Sequence, residues 1–326
     1  YMSRLYFKDD VYTLKSGISV LDRLLDGGHQ IPHSCKAGIC HACKLQVKSG
    51  VAPEAAQRGL KETEKSEGYF LSCQCKPKED LHACLPAEVD KQYSAQVISI
   101  NKLSDDIIQL IVKLDHPMSF HPGQFVNLWK SNQLHRSYSI ANLPSQENLI
   151  EMHIRHMPNG KLSSWVFFEL KKGDSVGIQG PLGDCFYQIS KQDKIKPMLL
   201  AGTGTGLAPL YGILMDALKQ NHQGKIYIYH GALADTQLYY VENMKKLTKN
   251  HDNVYYIPVV LKSSGLVDGV IEGALDEEVL KTADSFANWN IYLCGDPQMI
   301  KKIQKQIFLK GASLKTIHAD AFIPYA

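Results

Sequence analysis

The alternation of apolar and polar residues gives the first part of the chain a small mixed architecture. Residues 3–16 form two short apolar runs around a KDD turn, which predicts a pair of strands. The following segment, GISVLDRLLDGG, spaces its apolar residues as one face of a helix. Ser19 is a candidate N-cap and Gly27 a candidate stop. We therefore expect a short amphipathic helix packed on a small sheet.

Two further patterns of apolar and polar residues follow along the chain. From Ser94 the segments AQVISI, DIIQLIVKL, QFVNLW, RSYSIA and LIEMHIRH alternate, which predicts short strands of an antiparallel barrel. From Ile195 the buried-type strands PMLLAG, KIYIYHGAL, NVYYIPVV and NIYLCG alternate with helical stretches, which predicts a parallel α/β sheet. We expect a multidomain chain, partly β and partly α/β, divided into 1–90, 91–193 and 194–326.

Composition narrows the class of protein. The net charge is only +3, and charged residues make up 21% of the 326 positions, so a nucleic-acid or membrane-surface partner is not indicated. The longest uncharged run, Pro197 to Met215, contains GTGTGLAP, which favours a buried strand, loop and helix over a membrane span. We expect a soluble cytoplasmic protein, in which eight cysteines serve as ligands or free thiols.

Four cysteines have the spacing of an iron–sulfur site. Cys35, Cys40 and Cys43 lie in the loop SCKAGICHAC, and Cys73 follows after 29 intervening residues. Plant-type 2Fe–2S clusters use this spacing, whereas zinc sites use paired short knuckles. Cys75 competes for the fourth position, but two residues at this spacing on a strand would point to opposite faces. The spacing predicts a 2Fe–2S cluster.

Two segments of the barrel region have residues suited to a nucleotide. In RSYSIAN, Arg136 and Tyr138 share a strand face, where they suit a phosphate and a flat ring, and Ser139 suits a ring nitrogen. The same pattern also occurs on exposed barrel strands. In NGKLSSWVF, Gly160 and Ser163 open a helix whose free N–H groups suit a phosphate, with plain serine capping as the alternative.

Two loops of the α/β region suit a dinucleotide. The loop AGTGTGLAP lies between a buried strand and a helix, although it departs from G-x-G-x-x-G because position 207 is leucine. The alternative interpretation of this loop is a tight strand–helix turn without a ligand. The loop YLCGDPQM ends a second strand, where Cys294 is either core filler or a ligand contact.

Taken in order, these segments resemble the oxygenase-reductase branch of the ferredoxin–NADP reductase superfamily. The resemblance implies a β-grasp ferredoxin domain, a flavin-binding barrel and a nicotinamide-binding domain, with a 2Fe–2S cluster, FAD and NADH as cofactors. It assigns flavin binding to Arg136, Ser137, Tyr138, Ser139, Gly160, Lys161, Leu162 and Ser163. It assigns nicotinamide binding to Gly202, Thr203, Gly204, Thr205, Gly206, Gly295 and Asp296.

The resemblance also implies individual roles. Tyr138 would lie on the isoalloxazine, and Ser139 and Cys294 would be the catalytic residues beside flavin N5 and the nicotinamide. Phe322 would cover the flavin or the nicotinamide pocket, with plain packing as the alternative. Leu233 stands where the family often has an arginine, which favours NADH over NADPH.

The predicted function is electron transfer from NADH, through FAD and the cluster, to the oxygenase component of a mono- or dioxygenase. Two alternatives use the same cofactors: a reductase for a deoxysugar-biosynthesis dehydratase, and a redox-sensing module with little turnover. A zinc-stabilised interaction module is a third. We expect an electron-acceptor protein as partner, with His41 near its footprint, and a monomer outside that complex.

Overall fold

The chain folds as two compact units, residues 1–90 and 91–326. A computed structural model describes residues 3–31, 33, 36–38, 43–86, 92–131 and 134–322. Both sheets of the second unit lie within one compact body, so the predicted division at residue 193 stays a prediction.

The first unit is a five-stranded mixed sheet crossed by a helix, the β-grasp arrangement. Its sheet order is β2-β1-β5-β3-β4, with β1 and β5 parallel and the other pairs antiparallel. The elements are β1 (Ser3–Phe7), β2 (Asp10–Leu14), α1 (Val20–Asp26), β3 (Lys44–Ser49), α2 (Glu62–Ser66), β4 (Tyr69–Leu71) and β5 (Leu81–Cys84).

The predicted amphipathic helix is confirmed as α1. The Ser19 hydroxyl accepts a hydrogen bond from the Asp22 amide at 3.1 Å, and Gly27 ends the helix. Val20, Leu21 and Leu24 are buried in the core of the unit. The cap and the apolar face were both readable because they depend only on local spacing.

The first sheet of the second unit is an antiparallel barrel, as predicted. Its order is β10-β7-β6-β11-β8-β9, and an antiparallel bridge between Ile140 and Met152 closes it. The elements are β6 (Gln92–Lys102), β7 (Ile107–Leu114), β8 (Phe125–Ser131), β9 (Leu134–Ser139), β10 (Leu149–Arg155), α3 (Lys161–Phe168) and β11 (Ser175–Leu182).

The second sheet is parallel throughout, in the order β15-β14-β13-β12-β16-β17. The elements are β12 (Met198–Thr203), α4 (Leu207–Lys219), β13 (Ile226–Ala234), α5 (Val241–Asn250), β14 (Val254–Lys262), β15 (Ile271–Glu272), α6 (Leu275–Leu280), β16 (Asn290–Gly295), α7 (Pro297–Leu309) and β17 (Ile317–Ala321). The strand order reverses between β12 and β16, which opens a crevice at their carboxyl ends.

The long uncharged run 197–215 is confirmed as a buried strand, a glycine turn and a helix. It comprises β12, a single tight turn at 204–206 and α4, whose buried residues pack on the parallel sheet. Within the described ranges, no helix is both long and apolar enough to cross a membrane.

Candidate functional site

Two of the four predicted cluster ligands lie side by side. Cys43 and Cys73 are 3% and 7% exposed, and the two thiols are close enough for each to affect the charge of the other. Burial raises the pKa of Cys73, and the neighbouring Cys43 raises it further. Cys35, Cys40 and His41 lie outside the described residues. The structure therefore brings together the loop cysteine and the distant cysteine that the spacing had paired.

The Cys73 sulfur has one donor from the predicted loop and one from its own neighbour in the chain. The Gly38 amide hydrogen-bonds the Cys73 thiol and lowers its pKa, against the dominant effect of burial. Gln74 Nε2 lies 3.6 Å from the same sulfur and donates to the Lys36 carbonyl at 3.0 Å. Gly38 has φ +75°, and a Cβ there would lie 3.0 Å from Gln74 Cγ. Amide donors on a sulfur stabilise its thiolate form, which is the form an iron–sulfur cluster requires.

Cys75 differs from Cys73 in its surroundings. It is fully buried in the core of the first unit, and burial raises its pKa to about 12. Residues 72–74 form a turn after β4, so strand alternation does not separate the two thiols. The two thiols differ in packing instead, because Cys75 is fully buried in the core whereas Cys73 lies beside Cys43. Within the described part of the chain no three metal-binding side chains converge, since two of the four proposed ligands lie outside it.

The first four residues of RSYSIAN, 136–139, lie on β9, and their side chains alternate as predicted. Arg136 and Tyr138 lie opposite Leu128 and Val126 on one face. Tyr138 packs against the barrel core, and burial raises its pKa to about 12. The Arg136 side chain donates to the His135 carbonyl at 2.7 Å. One face of β9 therefore holds both the cation and the ring that a flavin nucleotide requires.

Ser137 and Ser139 occupy the other face of β9. The Ser137 hydroxyl is exposed and donates to Asn127 Oδ1 at 2.8 Å. Ser139 is 6% exposed, and its hydroxyl donates to Asp320 Oδ2 at 3.4 Å. The two serines thus differ: Ser137 belongs to the barrel surface, whereas Ser139 faces the parallel sheet.

Asp320 is a site residue that the sequence patterns did not identify. It lies on β17, beside Cys294 in the register of β16. Burial raises its pKa to about 6, and the nearby Asp184 carboxylate adds to the shift, while the Ser139 hydrogen bond opposes it. The only sequence signal was the acidic residue of DAFIPYA, a segment in which the aromatic residue alone indicated a cofactor contact.

The helix that follows β10 has free amides at its start. Its first intrahelical hydrogen bond runs from Ser164 N to Gly160 O at 2.9 Å, so the N–H groups of residues 161–163 precede the ladder. The Ser163 hydroxyl accepts from Met157 N at 3.1 Å and donates to Gly160 O at 3.2 Å. It therefore fixes the preceding turn rather than capping the helix, and the N–H groups of residues 161–163 remain at the helix start, where a phosphate could bind.

The glycine loop packs directly on the neighbouring strand. A Cβ at Gly202 would lie 2.8 Å from the Cys294 carbonyl oxygen, and a Cβ at Gly206 would lie 2.4 Å from it. Gly204 has φ +55°, and a Cβ there would lie 2.8 Å from Arg155 Nη1. The alternative interpretation, a tight strand–helix turn, therefore holds for Gly202 and Gly206, because packing against the Cys294 carbonyl alone requires glycine at both positions.

Arg155 is a second residue that the patterns did not identify. It ends β10 of the barrel, and its Nε lies 3.0 Å from Asp106 Oδ2. Residues 201–209 and 292–299 contain no lysine or arginine. Arg155 therefore brings a cation to the glycine loop from the other sheet, and β10 supplied no motif that would have revealed it.

The loop after β16 joins the glycine loop and the chain end. Asp296 caps α7 by accepting from the Met299 amide at 2.8 Å, and its own amide donates to Thr203 Oγ1 at 3.2 Å. The Phe322 amide donates to the Gly295 carbonyl at 2.8 Å. Thr205 lies in the same turn as the glycines. The structure thus groups the predicted nicotinamide residues at one edge, and the contact of the Phe322 ring stays a prediction.

The end of β13 is apolar and acidic. Leu233 is 63% exposed, and residues 230–238 contain no lysine or arginine. Asp235 is 2% exposed and accepts hydrogen bonds from Ser264 N at 2.8 Å and Leu266 N at 3.1 Å. The carboxylate therefore organises the loop after β14, beside the carboxyl end of β13.

Three family models match the chain in the predicted order. They are the 2Fe-2S iron-sulfur cluster binding domain over residues 9–78, the oxidoreductase FAD-binding domain over 94–187 and the oxidoreductase NAD-binding domain over 199–305. The predicted cofactor classes, an iron–sulfur cluster, FAD and a nicotinamide dinucleotide, are confirmed. The chain is an NAD(P)H-dependent oxidoreductase.

Similar proteins cover almost the whole chain. The ferredoxin–NAD(P)+ reductase component of the naphthalene 1,2-dioxygenase system of Pseudomonas putida is 31% identical over 96% of both chains. A CDP-6-deoxy-L-threo-D-glycero-4-hexulose-3-dehydrase reductase of Yersinia pestis is 30% identical over 96% of both. The crystal structure of the Amycolatopsis cytochrome P450 reductase GcoB has a TM-score of 0.70 and 29% identity over 99% of both chains.

Proposed function

The chain belongs to the oxygenase-type branch of the ferredoxin–NADP reductase superfamily, and we propose that it transfers electrons from NADH to a partner oxygenase component. The route runs through FAD and a 2Fe–2S cluster. One observation carries the proposal: Ser139 of the flavin motif meets Asp320 at the end of the nicotinamide sheet. Similarity to a dioxygenase-system reductase and to a P450 reductase supports an oxygenase as acceptor.

A second candidate acceptor is a deoxysugar dehydratase. A relative that is 30% identical over almost the whole chain reduces such an enzyme, by its name. The cofactors and the site geometry would be the same. The acceptor alone distinguishes the two functions.

The flavin site is proposed on β9 and at the start of α3. FAD, when bound, takes two electrons as a hydride and gives them up singly, which a 2Fe–2S cluster requires. Arg136 would pair with its pyrophosphate and Tyr138 would pack against its ring. The N–H groups of residues 161–163 would bind the remaining phosphate oxygens. The buried core behind Tyr138 keeps water from that face.

Ser139 and Asp320 are proposed to hold a proton at the edge of this site. Because the pKa of Asp320 is raised to about 6 by burial, the carboxyl exchanges its proton near neutral pH. The Ser139 hydroxyl donates to the ionised carboxylate, and the protonated carboxyl can donate to the Ser139 oxygen instead, which gives its proton a path to that oxygen. Cys294, beside Asp320 in register, would contact the nicotinamide.

The dinucleotide is proposed to lie across the carboxyl ends of β12, β13 and β16. Gly204 and Arg155 would receive its pyrophosphate, and Thr203 with Asp296 would hold the two loops together. NADH is favoured over NADPH because Leu233 and the buried Asp235 offer no cation for a 2′-phosphate. We also propose that Cys35, Cys40, Cys43 and Cys73 ligate the cluster. The protein is proposed to be a cytoplasmic monomer with domains at 1–90, 91–193 and 194–326.

The test uses purified protein and two acceptors. We expect about two iron atoms per chain, as a 2Fe–2S centre requires, together with FAD and NADH-dependent reduction of both ferricyanide and cytochrome c. Candidate oxygenase components and a deoxysugar dehydratase are then compared as acceptors. NADH turnover too slow to measure would support the redox-sensing alternative, and a colourless zinc protein would overturn the proposal.

A further inference from the structure

A second pair of cysteines lies apart from the proposed cluster ligands. Cys185 follows β11 and Cys294 lies in β16, with their sulfur atoms 3.9 Å apart and both side chains buried. The other four described cysteines belong to the first unit. We propose that a small hydroperoxide oxidises Cys185 and Cys294 to a disulfide, which joins the barrel to the parallel sheet and stops dinucleotide-dependent turnover.

The geometry allows the bond after a small movement. A disulfide has a sulfur–sulfur distance of about 2.05 Å, so the two atoms must approach by about 1.9 Å from their present 3.9 Å. Cys294 is held in β16, where it pairs with Gly202 of β12 on one side and with Asp320 of β17 on the other. Cys185 lies in the loop after β11, outside any strand. Rotation of the Cys185 side chain and adjustment of its loop therefore supply part of the movement, and a shift of Cys294 within its strand supplies the rest.

A small cavity gives an oxidant access to Cys185. It has a volume of about 60 Å³, and its lining includes Cys185, Asp184, Asp320 and Phe125 but not Cys294. A single water needs about 10–15 Å³ of such accessible volume, so the cavity has room for a small molecule of a few heavy atoms. Hydrogen peroxide is of that size, whereas glutathione disulfide is far larger. Cys185 is therefore the thiol that reacts first, and the oxidant is a hydroperoxide.

The reaction balances with peroxide as the only oxidant. The Cys185 sulfur attacks one peroxide oxygen, the O–O bond breaks, and a sulfenic acid and one water form. The Cys294 sulfur then attacks the sulfenic sulfur, the S–O bond breaks, and a disulfide and a second water form. Burial raises the pKa of Cys294 well above its usual range, so little of it is thiolate and the second step is slow.

The consequence follows from what packs on Cys294. Its carbonyl oxygen is the atom that a Cβ at Gly202 or at Gly206 would meet, so the glycine loop sits on this residue. A displacement of about 1 Å in a reacting geometry lowers a rate about 100-fold. This last step rests on the proposed function, whereas formation of the disulfide does not.

The experiment treats the holoenzyme with hydrogen peroxide, removes the excess with catalase and blocks free thiols with iodoacetamide. Mass spectrometry of the digest should show the Cys185 peptide joined to the Cys294 peptide. NADH–ferricyanide activity, which bypasses the cluster, should fall about 100-fold in the crosslinked fraction and return with dithiothreitol. Glutathione disulfide should produce neither effect.

Three variants separate the pair from general oxidation. Cys185→Ser and Cys185→Ala should keep the untreated activity and lose its sensitivity to peroxide. Cys84→Ser, a cysteine of the first unit, should stay as sensitive as the parent. Free alkylated Cys185 and Cys294 after treatment would overturn the inference, and so would equal sensitivity of the Cys185 variants. If untreated protein lacked NADH turnover, the proposed function would fail while the crosslink still decided this inference.

Discussion

Ser139 on β9 and Asp320 on β17 meet across 181 positions of the chain, with the serine hydroxyl donating to the carboxylate at 3.4 Å. The contact joins the flavin motif to the last strand of the parallel sheet. It also places a carboxyl group with a raised pKa at the edge of the proposed site.

Asp320→Asn should stabilise the protein at pH 7.5 and leave its stability unchanged near pH 4. The pKa of Asp320 is raised from 3.8 to about 6, so folding favours the protonated form, and its stabilisation is lost as the pH rises through 6. The upper bound is on the order of 3 kcal/mol. Thermal unfolding at both pH values measures it, and an equal shift at both would contradict the assignment. The pH profile of kcat should also lose its inflection near 6.

Arg155→Leu should raise KM for NADH about 10-fold or more, with a smaller change in kcat, because a charge-assisted hydrogen bond contributes about 1.5–3 kcal/mol. Steady-state kinetics with ferricyanide as acceptor measures this. Lys130→Leu is the matched control, since Lys130 pairs with Glu169 elsewhere on the barrel. Equal effects of the two substitutions would remove Arg155 from the dinucleotide site.

Gly204→Ala should weaken NADH binding and lower stability by about 1–2 kcal/mol, because an L residue at its φ of +55° is strained. The added methyl group would also lie 2.8 Å from Arg155 Nη1. Gly173→Ala is the control, since Gly173 has φ +94° with nothing within 4 Å of an added Cβ. Strain alone predicts similar stability losses, and only Gly204→Ala should change KM.

Leu233→Arg should raise kcat/KM for NADPH about 10-fold, because a guanidinium at this exposed position can pair with the 2′-phosphate. The value for NADH should change little. Parallel assays with both dinucleotides measure the ratio. A parent enzyme that already prefers NADPH would show that the interpretation of Leu233 is wrong.

Cys73→Ser should remove the iron and abolish cytochrome c reduction while ferricyanide reduction by NADH continues. Cys75→Ser is its matched pair: iron should be retained, and stability should fall by about 1–3 kcal/mol because a hydroxyl replaces a thiol in the core. Iron analysis and visible spectra of both variants decide between the two cysteines. Loss of iron in the Cys75 variant alone would reverse the assignment.

Local sequence patterns predicted much of the secondary structure. Helix α1, the barrel strands, the parallel strands and the glycine turn before α4 all depend on residue spacing within a few positions, so they were predictable. The cofactor classes were predictable for the same reason, since each motif is short and contiguous. Cys73 is the one predicted site residue far along the chain from the rest of its motif. It was still predictable, because its distance from Cys43 is itself part of the motif.

The remaining site residues were decided by tertiary structure. Arg155 reaches the glycine loop only because β10 closes the barrel beside the parallel sheet. Asp320, like Cys185, lies in a segment without a motif of its own. The helices, the strands and the cofactor classes follow from sequence alone, because secondary structure and binding loops depend on nearby residues. Which side chains meet between β9, β16 and β17 depended on the packing of two sheets, which local spacing does not record.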